Sequence, residues 1–268
     1  MPEGMMWRGA RSAPLPFRPV PGTGGSVTHR WTGRAAAFRI ESMEPGAAPC
    51  PTLPLIALDG PSGVGKSTTA RRVAQALGWD YLDTGAMYRA AALALHRAGV
   101  DLADPVALER ELAAIRISQE GTQVFLGGED VSEAIRSPEV TRLVTPVSAN
   151  RRVREVLVEQ QRRIGERGRW VVDGRDIGTV VFPQACCKVF LTASPEARAR
   201  RRHLELAAKG GQDSFASVLT DLQRRDQADA TREVAPLRQA EDAVALDSSD
   251  MDLEAVVAWI VAHHRSHP

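Results

Sequence analysis

Leu55-Ile56-Ala57-Leu58-Asp59-Gly60-Pro61-Ser62-Gly63-Val64-Gly65-Lys66-Ser67-Thr68 runs from a short apolar strand through a glycine-rich turn into a helix. The continuous apolar run Leu55–Leu58 is the pattern of a strand buried on both faces. Gly60 to Ser67 fits the spacing of a phosphate-cradling loop, GxxxxGK[ST], in the setting that loop needs. Its glycines let the backbone turn N–H groups toward an anion, and the helix that follows aims its positive end at the same point. Lys66 is placed to reach the β- and γ-phosphates as a mobile point charge. Ser67 supplies a hydroxyl to Mg²⁺. Residues Gly60, Pro61, Ser62, Gly63, Val64, Gly65, Lys66, Ser67 and Thr68 are therefore assigned to ATP, with Ser67 on the metal.

Outward from this stretch, strands and helices alternate. Ser67–Leu77 has helical spacing and stops at Gly78; Tyr81-Leu82 is a second strand and Ala86–Arg97 a second helix. Trp170–Val172, Lys188–Leu191 and Ala243–Leu246 are further buried strands, and Leu253–His264 is a closing amphipathic helix. The alternation predicts an α/β fold, a parallel sheet with helices on both sides. Residues 101–147 break the rhythm: Ile115–Ser118 and Gln123–Leu126 alternate with period two around Glu120-Gly121, which predicts a β-hairpin inside a substrate-covering insert.

The 268 residues are 43% hydrophobic and 25% charged, with formal net charge +1. This is ordinary globular composition, with no global field drawing the chain to nucleic acid or membrane. No apolar run approaches the roughly 18 residues of a spanning helix. Cys50, Cys186 and Cys187 have no metal-ligand or disulfide-framework spacing, which fits a reducing cytoplasm. Lys66, Lys188 and Lys209 are the only lysines beside 31 arginines, so a cluster of Arg carries little information here and a Lys asks for a reason.

Residues 1–52 hold eight of the 17 prolines and seven glycines, without hydrophobic periodicity. They read as a disordered extension. A start at Met43 is the plainer account of them, and their six scattered Arg make a poor nucleic-acid arm. Residues 53–268 form the expected catalytic domain.

Several further stretches occur together: Leu82-Asp83-Thr84-Gly85-Ala86-Met87-Tyr88-Arg89, Gly128-Glu129-Asp130-Val131-Ser132, Ile135-Arg136 and Val153-Arg154-Glu155. Asp173-Gly174-Arg175-Asp176-Ile177-Gly178-Thr179-Val180-Val181-Phe182-Pro183 follows, then Arg225-Asp226 through Asp229 to Arg232. In order and approximate spacing, from about Leu55 to Ile260, the chain resembles the bacterial cytidylate kinases. The resemblance implies the P-loop nucleoside monophosphate (NMP) kinase fold. That fold has a five-stranded parallel sheet, an NMP-binding insert at 101–147, and a short lid with flanking helices at 194–232. It implies a monomer whose substrates are ATP with Mg²⁺ and CMP or dCMP.

By the same resemblance Asp176, Arg154 and Thr145 read the base, and Arg89 and Arg175 hold the acceptor phosphate with Arg232 near it. Thr84, Arg225 and Asp229 reach the sugar. Thr84 and Thr145 stand where the family commonly has Ser. Arg225, Asp229 and Arg232 lie at i, i+4 and i+7 and share a face if helical. Ser194-Pro195-Glu196 reads as a helix start, and Arg201 beyond it is assigned to charge on the transferring phosphoryl, with Lys66, Arg175 and Arg232. No general base is required, because the acceptor phosphate is already an anionic nucleophile. The rivals are a small P-loop kinase for UMP, AMP or shikimate, and a nucleotide sensor without transferase activity.

Overall fold

The structure, a computed structural model, describes residues 53–208 and 210–266. The extension at 1–52, Lys209 and His267 lie outside the described residues. Five strands form one sheet: β1 (Leu53–Asp59), β2 (Asp80–Asp83), β6 (Trp170–Gly174), β7 (Ala185–Thr192) and β8 (Val244–Asp247). Their order is β2-β6-β1-β7-β8 and every pairing is parallel. β1 is central, so the run Leu55–Leu58 is no more than 1% exposed. Its residues alternate between the faces. Ile56 and Leu58 pack with α1 (Lys66–Leu77) and α8 (Leu253–Ser266), while Leu55 and Ala57 pack with Leu82, Met87 and Phe182. Burying one such side chain contributes roughly 1.5–3 kcal/mol.

α2 (Thr84–Arg97) is capped by the Asp83 side chain, which accepts from the Ala86 N–H. Its alanines Ala90, Ala91 and Ala92 are at most 1% exposed because the insert covers the helix. The insert comprises α3 (Pro105–Ala114), then β3 (Ile117–Glu120), β4 (Gln123–Leu126) and β5 (Glu129–Asp130) as a small antiparallel sheet, and α4 (Pro138–Ala149). The expected hairpin is present, but β3 begins two residues late because Ile115 serves as the C-cap of α3. β5 has two residues, both exposed, and leaves no periodicity to read. Gln119 ties this sheet to the edge of the main one, accepting from the Asp83 N–H at 3.0 Å and donating to the Tyr81 carbonyl at 3.3 Å.

α5 (Arg151–Gly165), α6 (Pro195–Ala208) and α7 (Phe215–Thr231) complete the described α-helices, and a 3-10 turn at Ala134–Arg136 leads into α4. A single π turn, Ile177–Val181, follows β6. Because the strands are parallel, Asp59, Asp83, Gly174 and Thr192 all end at one edge of the sheet, where α/β proteins place ligands. Gly60 makes the turn out of β1 with φ +150°, and a Cβ there would lie 2.1 Å from the Leu191 carbonyl oxygen. No described helix is long and apolar enough to cross a membrane.

Candidate active site

The loop between β1 and α1 folds over the sheet edge with Gly65 in the left-handed region, φ 96°. Val64, 2% exposed, pins the loop into the core, while Gly63, Gly65, Ser67 and Thr68 face outward. Lys66 Nζ donates to the Pro61 carbonyl at 2.8 Å across the loop. Burial, and then the Arg175 charge, lower the ammonium to about 7, while Asp173 works in the other direction. An anion placed beside such a group would favour its charged form.

Ser67 Oγ donates to Asp173 Oδ2 at 3.0 Å, and the Tyr81 hydroxyl donates to Oδ1 at 2.8 Å. Burial, with Asp83 adding to it, raises Asp173 to about 7 against the pull of Lys66. A hydroxyl and a buried carboxylate at the strand end form a hard-oxygen pair of the kind Mg²⁺ takes, so the donor set fits that ion. Tyr81 is a partner that sequence reasoning missed, having read it only as a strand residue.

Beside the loop is a cavity. Thr84, Arg89, Thr145, Arg154, Arg175, Asp176, Arg225, Asp229 and Arg232 all line it, as does Ser62 of the phosphate loop. Arg154 and Asp176 form an ion pair with side chains only 3% and 5% exposed. Arg232 Nη2 lies 3.4 Å from the other oxygen of Asp176, without hydrogen-bond alignment. Arg175 bridges the two halves of the site: Nε donates to Asp229 Oδ2 at 2.7 Å and Nη2 to Ser62 Oγ at 2.9 Å. Arg89 donates to Thr141 Oγ1 at 3.2 Å, and burial lowers its pKa. The Thr84 hydroxyl donates to the Asp173 carbonyl at 2.7 Å, and Arg225 pairs with Asp221.

The model of the cytidylate kinase family matches residues 56–266, which span both halves of this site. The chain belongs to the cytidylate kinase family. It is 53% identical to a cytidylate kinase of Rhodococcus opacus over 77% of this chain and 93% of that protein. It is 50% identical to one of Mycobacterium leprae, again over 77% and 93%. A cytidylate kinase of Carboxydothermus hydrogenoformans is 49% identical over 77% of this chain and 95% of its own length.

Within this cytidylate kinase site one expected residue stands elsewhere. Arg201 turns its guanidinium to the carbonyls of Ser248, Ser249 and Met251, beyond β8. The α6 cation that reaches the phosphate loop is Arg198, 4% exposed. It donates to the Ser62 carbonyl at 2.9 Å and to Asp226 Oδ2 at 2.5 Å, while Asp226 Oδ1 accepts from the Ser62 N–H at 3.1 Å. Its spacing one turn before Arg201 was the available signal; only burial separates the two. Arg232 likewise joins the cavity from the C-cap of α7, not from a helical turn.

Asp59 was also missed, although it ends β1 inside the quoted stretch. Its carboxylate accepts from the Ile177 N–H at 2.8 Å and the Gly178 N–H at 2.7 Å, which fixes the turn directly after Asp176. Burial raises it from 3.8 to about 6 against those two bonds. The folded chain therefore holds this proton more firmly than the unfolded one, and stability falls as pH rises from about 4 to about 6, by at most about 1.4 kcal/mol per pH unit. Asp59→Asn is expected to flatten that slope. Urea unfolding of both proteins at pH 4.5 and pH 6.5 checks it, and equal slopes would contradict the assignment.

Proposed function

We infer that the chain transfers the γ-phosphoryl group of ATP to CMP or dCMP, giving ADP and CDP or dCDP, as a monomer in the cytoplasm. The observation that carries this reading is the buried Asp176 carboxylate, held by Arg154 in a cavity that Arg175 joins to the phosphate loop. A carboxylate accepts from the cytosine N4 amino group and repels the O4 of uracil. Arg89 and Arg175 would hold the acceptor phosphate; Arg232, expected near that phosphate and at the transferring group, turns instead to Asp176 at 3.4 Å and would serve the base end. Thr84, Arg225 and Asp229 would meet the sugar, and Thr145 the base edge.

An oxygen of the acceptor phosphate attacks the γ-phosphorus in line, and the bond from that phosphorus to the β–γ bridging oxygen breaks. The bridging oxygen leaves with ADP. Lys66 and Arg175 would stabilise charge on the transferring group, and alignment supplies much of the rest. Ser67 and Asp173 would hold Mg²⁺, which when bound neutralises charge on the β- and γ-phosphates. Arg201 could serve the transferring group only by leaving its three carbonyls.

Arg198→Ala is accordingly expected to raise the KM for ATP at least about tenfold, whereas Arg201→Ala should change kcat less than about threefold. Steady-state rates of the two variants decide this; a hundredfold kcat loss in the Arg201 variant would return that residue to the phosphoryl group. The functional reading itself is tested by ADP release from the full chain with MgATP and CMP, dCMP, UMP, AMP or shikimate. CMP and dCMP should turn over fastest. A different best acceptor would overturn the base assignment, and ATP binding without any turnover would favour a sensor.

A further inference from the structure

Lys188 is a charged residue inside the sheet, 7% exposed, on β7 beside Ala57 of the central strand. A buried ammonium is unfavourable unless its charge and its N–H groups are met. Here Nζ donates to the Pro183 carbonyl at 2.5 Å and to Asp242 Oδ2 at 2.6 Å. These two partners belong to the two segments that meet in the acceptor cavity, where Arg232 faces Asp176 at 3.4 Å. Pro183 closes the stretch that starts at Asp176 and runs through the π turn. That stretch is firmly packed, with Ile177, Val181 and Phe182 each 1% exposed. The Lys188 stem lies against it, since a Cβ at Gly178 would stand 3.1 Å from Lys188 Cδ. Asp242 closes the segment that starts at Arg232 and returns to β8. From Glu233 to Ala245 that segment buries no residue, so polar contacts hold it. At its start the Leu237 N–H donates to the Asp229 carbonyl at 2.8 Å, and Ala235, at φ 52°, turns its carbonyl to Arg232 Nε. At its end the Lys188–Asp242 pair ties it to the sheet.

On the reading of the cavity as the CMP site, we propose that Lys188 is a positioning residue for it: the ammonium fastens Asp242 to the packed backbone behind Asp176 and so holds Arg232 opposite that carboxylate. Lys188 does not touch the acceptor. A compact point charge with three donors suits a place where a carbonyl and a carboxylate from different segments converge on one nitrogen. The two segments are thereby closed at two points, at Lys188 and at the Arg232–Asp176 pair.

The full chain, Lys188→Met, Asp242→Ala and the double variant Lys188→Met/Asp242→Ala are compared in steady-state kinetics, thermal unfolding and amide hydrogen exchange. Methionine keeps the stem, removes the buried charge and leaves Asp242, 66% exposed, to water, so Lys188→Met should melt near the wild-type temperature. Its amides over 233–243, Leu237 among them, should exchange at least about tenfold faster, while those of β1 and β6 keep their rates. The KM for CMP should rise roughly three- to tenfold and the preference for CMP over UMP should narrow, with the KM for ATP nearly unchanged. Asp242→Ala should reproduce the rise, and the double variant should be no worse than Lys188→Met. An unmoved KM for CMP in Lys188→Met and in the double variant overturns the inference while CMP turnover by the wild type stands. So does a KM for ATP that rises in step with it, or unchanged exchange over 233–243. A wild-type chain inert toward CMP overturns the functional reading first.

Discussion

Replacing Lys66 by Met is expected to lower kcat by on the order of 10³ and to leave the fold at least as stable as before. The two effects have one cause. Lys66 Nζ spans the phosphate loop to the Pro61 carbonyl at 2.8 Å in a residue only 5% exposed. There the ammonium is held at about 7 by burial and by Arg175. Its folded pKa lies below its ordinary value, so a protonated Lys66 opposes folding at neutral pH and its removal relieves that cost. Developing charge on the β–γ bridge needs a cation at this point, and Met supplies length without charge. Lys66→Arg should not restore the rate, because a planar fork does not fit the narrow loop. Saturating ADP-release rates, CMP binding by calorimetry and thermal unfolding test this together. A kcat within tenfold of wild type would remove Lys66 from the chemistry.

Asp176→Asn should act on both stability and selectivity. The substitution keeps the shape but strips the counter-charge from Arg154, whose side chain is 3% exposed, and from Arg232 at 3.4 Å. Breaking a buried pair from one side costs about 3–5 kcal/mol. In a domain of this size that corresponds to a fall in Tm of roughly 6–20 °C. The Asn amide can turn its N–H₂ toward the O4 of uracil, so the ratio of kcat/KM for CMP over UMP should collapse by about 10² or more. An unchanged ratio would mean that Asp176 does not read the base.

The frame of the fold was legible because β1, β6 and β7 are buried on both faces and therefore appear as apolar runs. Gly60 and Gly78 punctuate the chain where the backbone takes positive φ. The grouping of Arg89, Arg154, Arg175 and Asp176 around one cavity was legible only through family resemblance. In an Arg-rich chain nothing local separates Arg154 and Arg198, each at most 4% exposed, from Arg200, which faces solvent. Arg198, Asp226 and Ser62 form a network across three elements, which no spacing along the chain displays. Asp59 resembles any strand-ending carboxylate until the π turn after β6 brings the Ile177 and Gly178 N–H groups onto it. Periodicity reports which face of an element is buried; it does not report which buried polar groups meet.

The most direct test is a crystal structure of the full chain with CMP. The cytosine N4 should lie about 3 Å from an oxygen of Asp176, the phosphate should meet Arg89 and Arg175, and Arg154 should remain paired with Asp176. A base bound away from Asp176, or a phosphate outside the reach of Arg175, would contradict the reading of this cavity as the site that selects CMP.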